Sequence, residues 1–369
     1  MLQVSFAMLT GSARRTVAVT TAIFILALWS LVAYWVAAER QRTLDAATQQ
    51  LEQLNAAVSG QIETLLKLAE TSFSAANHWL VENPDADPYE SPAFLGLIEE
   101  LHRLTDGIVD LRAADHTGNS QWFGRERRER PLDVADRDYF LAQFDPKTQG
   151  LFIGHTFVGR QSALLGIPLS VRAEGRRLAV LFAVIKLDHL RALHEPQRMK
   201  PNGSITLIRQ DGIILSRTPF AESALNQDIS HHPDYVDHLA RASSGVLTSG
   251  VGPVDSKSRL VGFAKLDHYP LFVICSALID DVLLPWRKEA GRLGAVVGLV
   301  TLLTLVLAGR LLRAMQAREQ ASSPPSRPIA ASPTSSKRRR TWSGKWMPTD
   351  ASATRRSDAR PCKASPRRT

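Results

Sequence analysis

The sequence holds two cysteines, Cys275 and Cys362. These are too few for a disulfide framework or a Cys-x-x-Cys metal site. It contains no His-Glu-x-x-His, no Gly-x-Ser-x-Gly and no phosphate-cradling Gly-x-x-x-x-Gly-Lys string, so an intrinsic enzyme has no support from motifs. Acidic residues are scarce at both ends. Residues 310–369 carry 15 Lys/Arg against 3 Asp/Glu, and residues 1–38 carry only Arg14 and Arg15, so the overall +9 leaves residues 39–309 at −5. The positive charge therefore sits in a tail. A mildly acidic body excludes a basic nucleic-acid groove there, and no nucleic-acid partner is expected. The chain is nevertheless 44% hydrophobic over 369 residues, enough to build folded cores for about two domains.

Long apolar runs are present. Residues 16–38 hold no charge, follow Arg14-Arg15, and carry Trp29, Tyr34 and Trp35 toward their far end. That length crosses a ~30 Å hydrocarbon layer as a helix, and the aromatics suit its interface. A cleaved signal peptide has a shorter apolar core and a small-x-small cleavage site, so an uncleaved anchor is expected. Residues 293–309 form a second uncharged run between Arg292 and Arg310, extended by Leu311 and Leu312 if Arg310 snorkels. The flanking positive charge predicts that both termini are cytoplasmic and that the segment between the spans faces the periplasm. The domain plan is then a cytoplasmic N-terminus over 1–15, spans over 16–38 and 293–312, an outer body over 39–292, and a basic low-complexity tail over 313–369.

In the outer body, Leu51, Leu54, Val58, Ile62, Leu65 and Leu68 recur at helical spacing. They predict a long helix continuous with the first span, pairing with a second copy nearest the membrane. A Pro/Asp-rich stretch over 83–92 ends it, and Phe94, Leu97, Leu101 and Leu104 mark a second helix. Strand patterns follow over 108–113, 151–158, 162–171 and 177–187, then over 204–209, 213–217, 245–251, 260–266 and 271–277. The Asp211-Gly212 turn between two of them is a hairpin signal. The pattern repeats around 108–188 and 204–278, which predicts an α+β fold of two small modules in tandem on one long N-terminal helix.

Several strings resemble one family in order and spacing. They are Asp136-Arg137-Asp138-Tyr139-Phe140, Leu151-Phe152-Ile153-Gly154, Gly159-Arg160-Gln161-Ser162, Ile167-Pro168-Leu169-Ser170, residues 208–217 and Tyr269-Pro270-Leu271-Phe272-Val273-Ile274. Together they resemble the double Cache sensor domains, PAS-like extracytoplasmic ligand-binding domains of bacterial transmembrane receptors. Leu178-Ala179-Val180-Leu181 depart from the pattern, where the family commonly has a glycine before its last distal strand. The resemblance implies a distal module over about 85–200, a proximal module over about 201–285, a small ligand in the distal one, and an output such as a histidine kinase or diguanylate cyclase. No such output string follows Arg318. The Ser/Pro/Arg-rich remainder is too poor in apolar residues to form a core, and reads either as a truncated or frame-shifted receptor gene or as a basic tail for anionic lipid or a partner. The expected function is a transmembrane receptor for a small extracytoplasmic ligand, with no catalytic domain.

The resemblance puts Arg137, Tyr139, Phe140, His155, Arg160 and Ser162 at the distal pocket, with Trp122 as its closure. An arginine among aromatic walls suits a carboxylate, so a carboxylate or an amino acid is the expected ligand. Asp188 either accepts from a ligand amine or caps the helix that follows it. The alternative for Arg137 is an ion pair with Asp133 or Asp136, with Tyr139 and Phe140 in the core. Residues 231–238 (HHPDYVDH) are the single metal-like cluster and fit a helix start better than a metal site. The charge run over 125–130 reads as a solvated loop. No cofactor or metal is implied; the expected partners are the ligand, membrane lipid and a second copy of the chain.

Overall fold

The computed structural model describes residues 2–105, 107–123, 131–160, 163–199, 201–250 and 252–322. Its first element is one uninterrupted helix, α1 (Leu2–Glu82), which contains no proline and ends just before Pro84. Leu51, Asn55, Val58, Ile62, Leu66, Ala69, Phe73, Ala76 and Leu80 are all buried. Their steps of three and four make one stripe along the helix. Ser91 then caps α2 (Pro92–Leu104) by accepting from the Phe94 N–H, with Pro92 in the first turn, where its missing N–H costs nothing. The expected stripe of α2 shifts slightly: Phe94 and Ile98 are buried and Leu104 is exposed.

The strands follow in chain order. β1 (Arg112–Ala114), β2 (Asn119–Trp122) and β3 (Leu132–Asp133) precede the short α3 (Asp138–Leu141), and β4 (Phe152–Ile153), β5 (Phe157–Val158), β6 (Leu165–Arg172) and β7 (Val180–Lys186) lead to α4 (Leu187–His194). β8 (Ser204–Arg209), β9 (Ile214–Thr218), β10 (Ser244–Ser249), β11 (Arg259–Lys265) and β12 (Leu271–Leu278) lead to α5 (Ile279–Ser322). Two antiparallel sheets result. The first has the order β3-β2-β1-β7-β6-β4 with β5 also on β6, and the second has the order β10-β11-β12-β8-β9. The single strand expected over 151–158 is instead two short ones, because the chain turns at Gly154-His155-Thr156. There the Thr156 hydroxyl donates to Leu215 O, and its N–H donates to the Asn226 carboxamide.

Strand alternation gives each sheet two different faces. On β7, Leu181, Ala183 and Ile185 join the core around α1, whereas Val180 and Phe182 join a separate cluster on the opposite face. On β12, Leu271, Val273 and Cys275 face α1, whereas Phe272 and Ile274 face away. Thus α1 backs both sheets, and each sheet carries on its far side a second, smaller core under its loops. Both far-side regions enclose a cavity.

Two helices flank this body, and both are long and apolar enough to cross a membrane by length and composition. Their apolar windows are 0% and 6% buried; a core helix of a soluble domain would be covered. Trp29 Nε1 donates to Thr301 Oγ1 at 3.2 Å, and Trp286 Nε1 donates to Val36 O at 2.9 Å. These two bonds tie α1 to α5 at separate heights.

Candidate functional site

The far face of the first sheet carries a cavity of about 200 Å³. β7 sends Phe182, Val184 and Lys186 into it, β1 sends Arg112, and Asp110 lies just before β1. Arg137 and Tyr139 reach it from the start of α3, and Phe157 from β5, with Arg160 following. Alternation on β7 explains why its even-numbered residues line the cavity while its odd-numbered ones pack on α1.

Aromatic rings form the base of the cavity. Tyr139 is 5.0 Å from Phe182 and 5.7 Å from Phe157, centroid to centroid. The Arg137 guanidinium carbon lies 4.9 Å from the Phe157 centroid, a cation–π distance. Arg137 makes no ion pair among the described residues. The alternative pair of Arg137 with Asp133 or Asp136 is not made; Arg160 instead donates to Asp133 O and to Asp136 Oδ2. Arg160 holds the Asp136 carboxyl below the usual carboxylate range. Arg112 pairs with Asp110 at 3.2 Å, both side chains largely buried. Burial pushes the Tyr139 phenol up to about 12, against the pull of Arg137 and Arg112, so the hydroxyl keeps its proton at neutral pH. The lining therefore carries Arg112, Arg137, Arg160 and Lys186 against Asp110. This excess of positive charge over an aromatic base favours an organic anion.

Of the residues named from sequence, Arg137, Tyr139 and Arg160 line this cavity. Phe140 does not: it is buried 5.0 Å from Phe144 and packs in the far-side cluster without lining the cavity. His155 does not either. Its backbone N–H and its Nδ1 both meet Asp138 Oδ2, at 2.7 and 2.8 Å, and its Nε2 lies 3.2 Å from Arg209 on β8. It is thus a joint between the sheets. Gly154 beside it has no room for a side chain, since a Cβ would fall 2.9 Å from the Asp138 carboxylate. Asp188 is in the first turn of α4 and pairs with Arg191 at 3.0 Å on the surface. Trp122 lies on β2 with its side chain outside the described residues, as are Ser162 and the charge run over 125–130. Sequence reading missed Asp110, Arg112, Lys186, Phe157 and Phe182. The alternation Phe182-x-Val184-x-Lys186 held the signal for two of these, Phe182 and Lys186: a strand face that turns from apolar to charged at its end. In the 231–238 cluster, Asp234 accepts from Ser249 and stands 3.5 Å from His232; among the described residues no group of three or more acidic, His or Cys side chains is placed to hold a metal.

Residues 187–276 match the family model dCache_1_like, described as a histidine kinase sensor domain. That match spans α4 and most of the second sheet. The sensor resemblance thus stands on the chain's own matched segment, and two candidate membrane helices flank it. Among solved structures, the periplasmic sensory domain of the Campylobacter jejuni chemoreceptor Tlp1 superposes with a TM-score of 0.51 at 10% identity, over 66% of this chain and 99% of that one. The outer body therefore shares the fold of that domain, and residues 187–276 within it are Cache-like. The ligand-binding domain of the Pseudomonas fluorescens chemoreceptor CtaA, solved with L-alanine, matches at 17% identity with a TM-score of 0.46, over 62% and 96% of the two chains. That of C. jejuni Tlp3, solved with L-valine, matches at 13% identity with a TM-score of 0.44, over 66% and 97%. No curated protein matches the sequence.

Proposed function

We propose that this chain is a two-span membrane receptor whose outer body, two Cache modules in tandem, binds a small carboxylate or amino acid in the cavity of the first sheet. The observation that carries this reading is Arg137, a guanidinium stacked on Phe157 and without a carboxylate partner among the described residues, at a cavity lined by three further cations. A planar fork of this kind receives both oxygens of a carboxylate, and the rings exclude competing water. The modules run over about 85–200 and 201–285, outside the cytoplasm, with both termini inside, and the stalk of α1 pairs with a second copy near the membrane.

Transmission follows from the joint described above. Arg137 and Tyr139 flank Asp138 in sequence, so a ligand that draws α3 inward moves the Asp138 carboxylate, and with it His155 and Arg209. The pull reaches β8 and so the second sheet. Ligand then shifts an existing balance between two arrangements of the sheets and their helices. The match to a histidine kinase sensor domain favours one second reading, the sensory half of a kinase or diguanylate cyclase; a coding frame for such an output immediately after codon 318 decides for it.

The test is calorimetric titration of the purified full chain in detergent against a panel of carboxylates and amino acids. Loss of a charge-assisted pair costs about 1.5–3 kcal/mol, so Arg137→Ala weakens an anionic ligand about tenfold to over a hundredfold. Arg137→Lys restores little, because an ammonium lacks the fork. Wild-type affinity in Arg137→Ala sinks the assignment of this cavity.

A further inference from the structure

We propose that the second sheet holds a site of its own, a small cavity for a short-chain monocarboxylate such as acetate or propionate, anchored by Arg217. The cavity lies on the face of β8, β9, β11 and β12 turned away from α1 and measures about 60 Å³. A single water needs roughly 10–15 Å³ on that measure, so the space takes a molecule of about four or five heavy atoms. None of its lining residues belongs to the first cavity.

A local irregularity aims Arg217 into this space. Regular alternation would put Ile214 and Arg217 on opposite faces of β9. A bulge in the β8–β9 pairing shifts the register between Leu207 and Ile208, so that Arg217 pairs with Thr206 and Ile214 with Ile208. Thr206, Ile208, Ile214 and Arg217 consequently all line the cavity. Bulges re-aim side chains in this way beside functional sites.

The guanidinium is underused where it stands. Its side chain is 12% exposed, it donates to Thr206 Oγ1 at 3.2 Å, and its nearest carboxylate oxygen, Asp255 Oδ2, is 3.9 Å away. Asp255 is already held by Arg259, whose Nε lies 3.3 and 3.1 Å from its two oxygens and whose Nη2 is closer still. The other acid on the wall, Asp234, accepts from Ser249 Oγ and faces His232. Among the described residues, most of the five Arg217 donors therefore have no acceptor. Burial and the neighbouring Arg259 push its guanidinium down from its ordinary value, with Asp255 opposing; the charge of a bound anion would act in the same sense as Asp255.

The walls narrow the ligand class. Ile214, Ile229, Val261 and Ile274 offer an apolar lining for a short alkyl tail. An amino acid would need a free carboxylate for its ammonium group, and Asp234 and Asp255 are both engaged. A dicarboxylate or a phosphate would need a second free cation, and Arg259 is fully paired.

The test uses the full chain in detergent, with sodium propionate and sodium acetate titrated against sodium chloride at equal ionic strength, read by calorimetry and by thermal denaturation. Saturable propionate binding beyond the chloride control is expected. It persists in Arg137→Ala and weakens at least about tenfold in Arg217→Lys, which keeps the charge but loses the fork. Val261→Phe fills the cavity, leaves Arg217 in place and should abolish binding, which guards against a folding defect in the arginine variant. Three results overturn the proposal: a response equal to that of chloride, binding that survives both Arg217→Lys and Val261→Phe, or binding lost in Arg137→Ala. The last would assign propionate to the first cavity.

Discussion

Asn55 is the one polar side chain set into the buried stripe of α1 between Leu51 and Leu66. Its carboxamide oxygen accepts from the Cys275 N–H at 3.1 Å, and its nitrogen lies against Gly262, where a Cβ would come within 2.4 Å. Asn55→Ala strips that N–H of its acceptor and is expected to cost about 1–3 kcal/mol, a fall of a few degrees in thermal denaturation. His194 is a second buried polar group. It is 1% exposed, its Nε2 has no partner among the described residues, and burial pushes its pKa down to about 4. The unfolded chain takes up this proton near pH 6.5 and the folded one only near pH 4. Stability contributed by the neutral imidazole is therefore complete above pH 6.5 and falls as the pH drops toward 4, by roughly 2–3 kcal/mol. Melting curves of His194→Leu should lack that acid-side decline; an identical decline in both proteins would refute the assignment. Single residues were also where sequence reading reached least far. Arg137, Tyr139 and Arg160 were found because their strings resemble the pocket-forming part of the Cache family. Arg112 and Lys186 come from distant strands and meet only when β1 pairs with β7. The direction of Arg217 depends on a bulge that no alternation pattern reveals.

At the scale of elements, the long helix carries both sheets. Ile62 sits where they meet, packed among Ile153, Ile167, Leu207 and Leu271. Ile62→Ala should cost about 2–5 kcal/mol and lower the melting temperature in a single transition, since one core spans both sheets. Exposed Lys67→Ala, one turn away, should change it little. Helices and long strands were legible because their periods extend over many residues: the hairpins β6–β7 and β8–β9 stand where the sequence put them, and the stripe on α1 does so with a shift of one residue, Asn55 and Ala69 being buried where Leu54 and Leu68 were expected. The short strands were not, because β4 and β5 are set by where residues 154–156 dock on the second sheet rather than by their own alternation.

For the whole molecule, the proposed orientation makes a direct prediction. A reporter active only outside the cytoplasm should work when fused at Asp85 and fail when fused after Arg318, and the reverse pattern would invert the receptor. The plan of two apolar spans around a mixed α and β body was legible because hydrophobic length and strand periodicity are local signals. The closing of two cavities was not, because each depends on loops folding back over a sheet face. The two helices that leave the body also differ in a way that bears on how it is read from below. α1 has no proline from end to end, and at 1.5 Å per residue it is a strut about 120 Å long. α5 has Pro285 in its second turn, where one backbone bond is missing and bending is easy. A twist applied by the sheets should therefore travel down α1 whole, whereas α5 yields at its neck and follows.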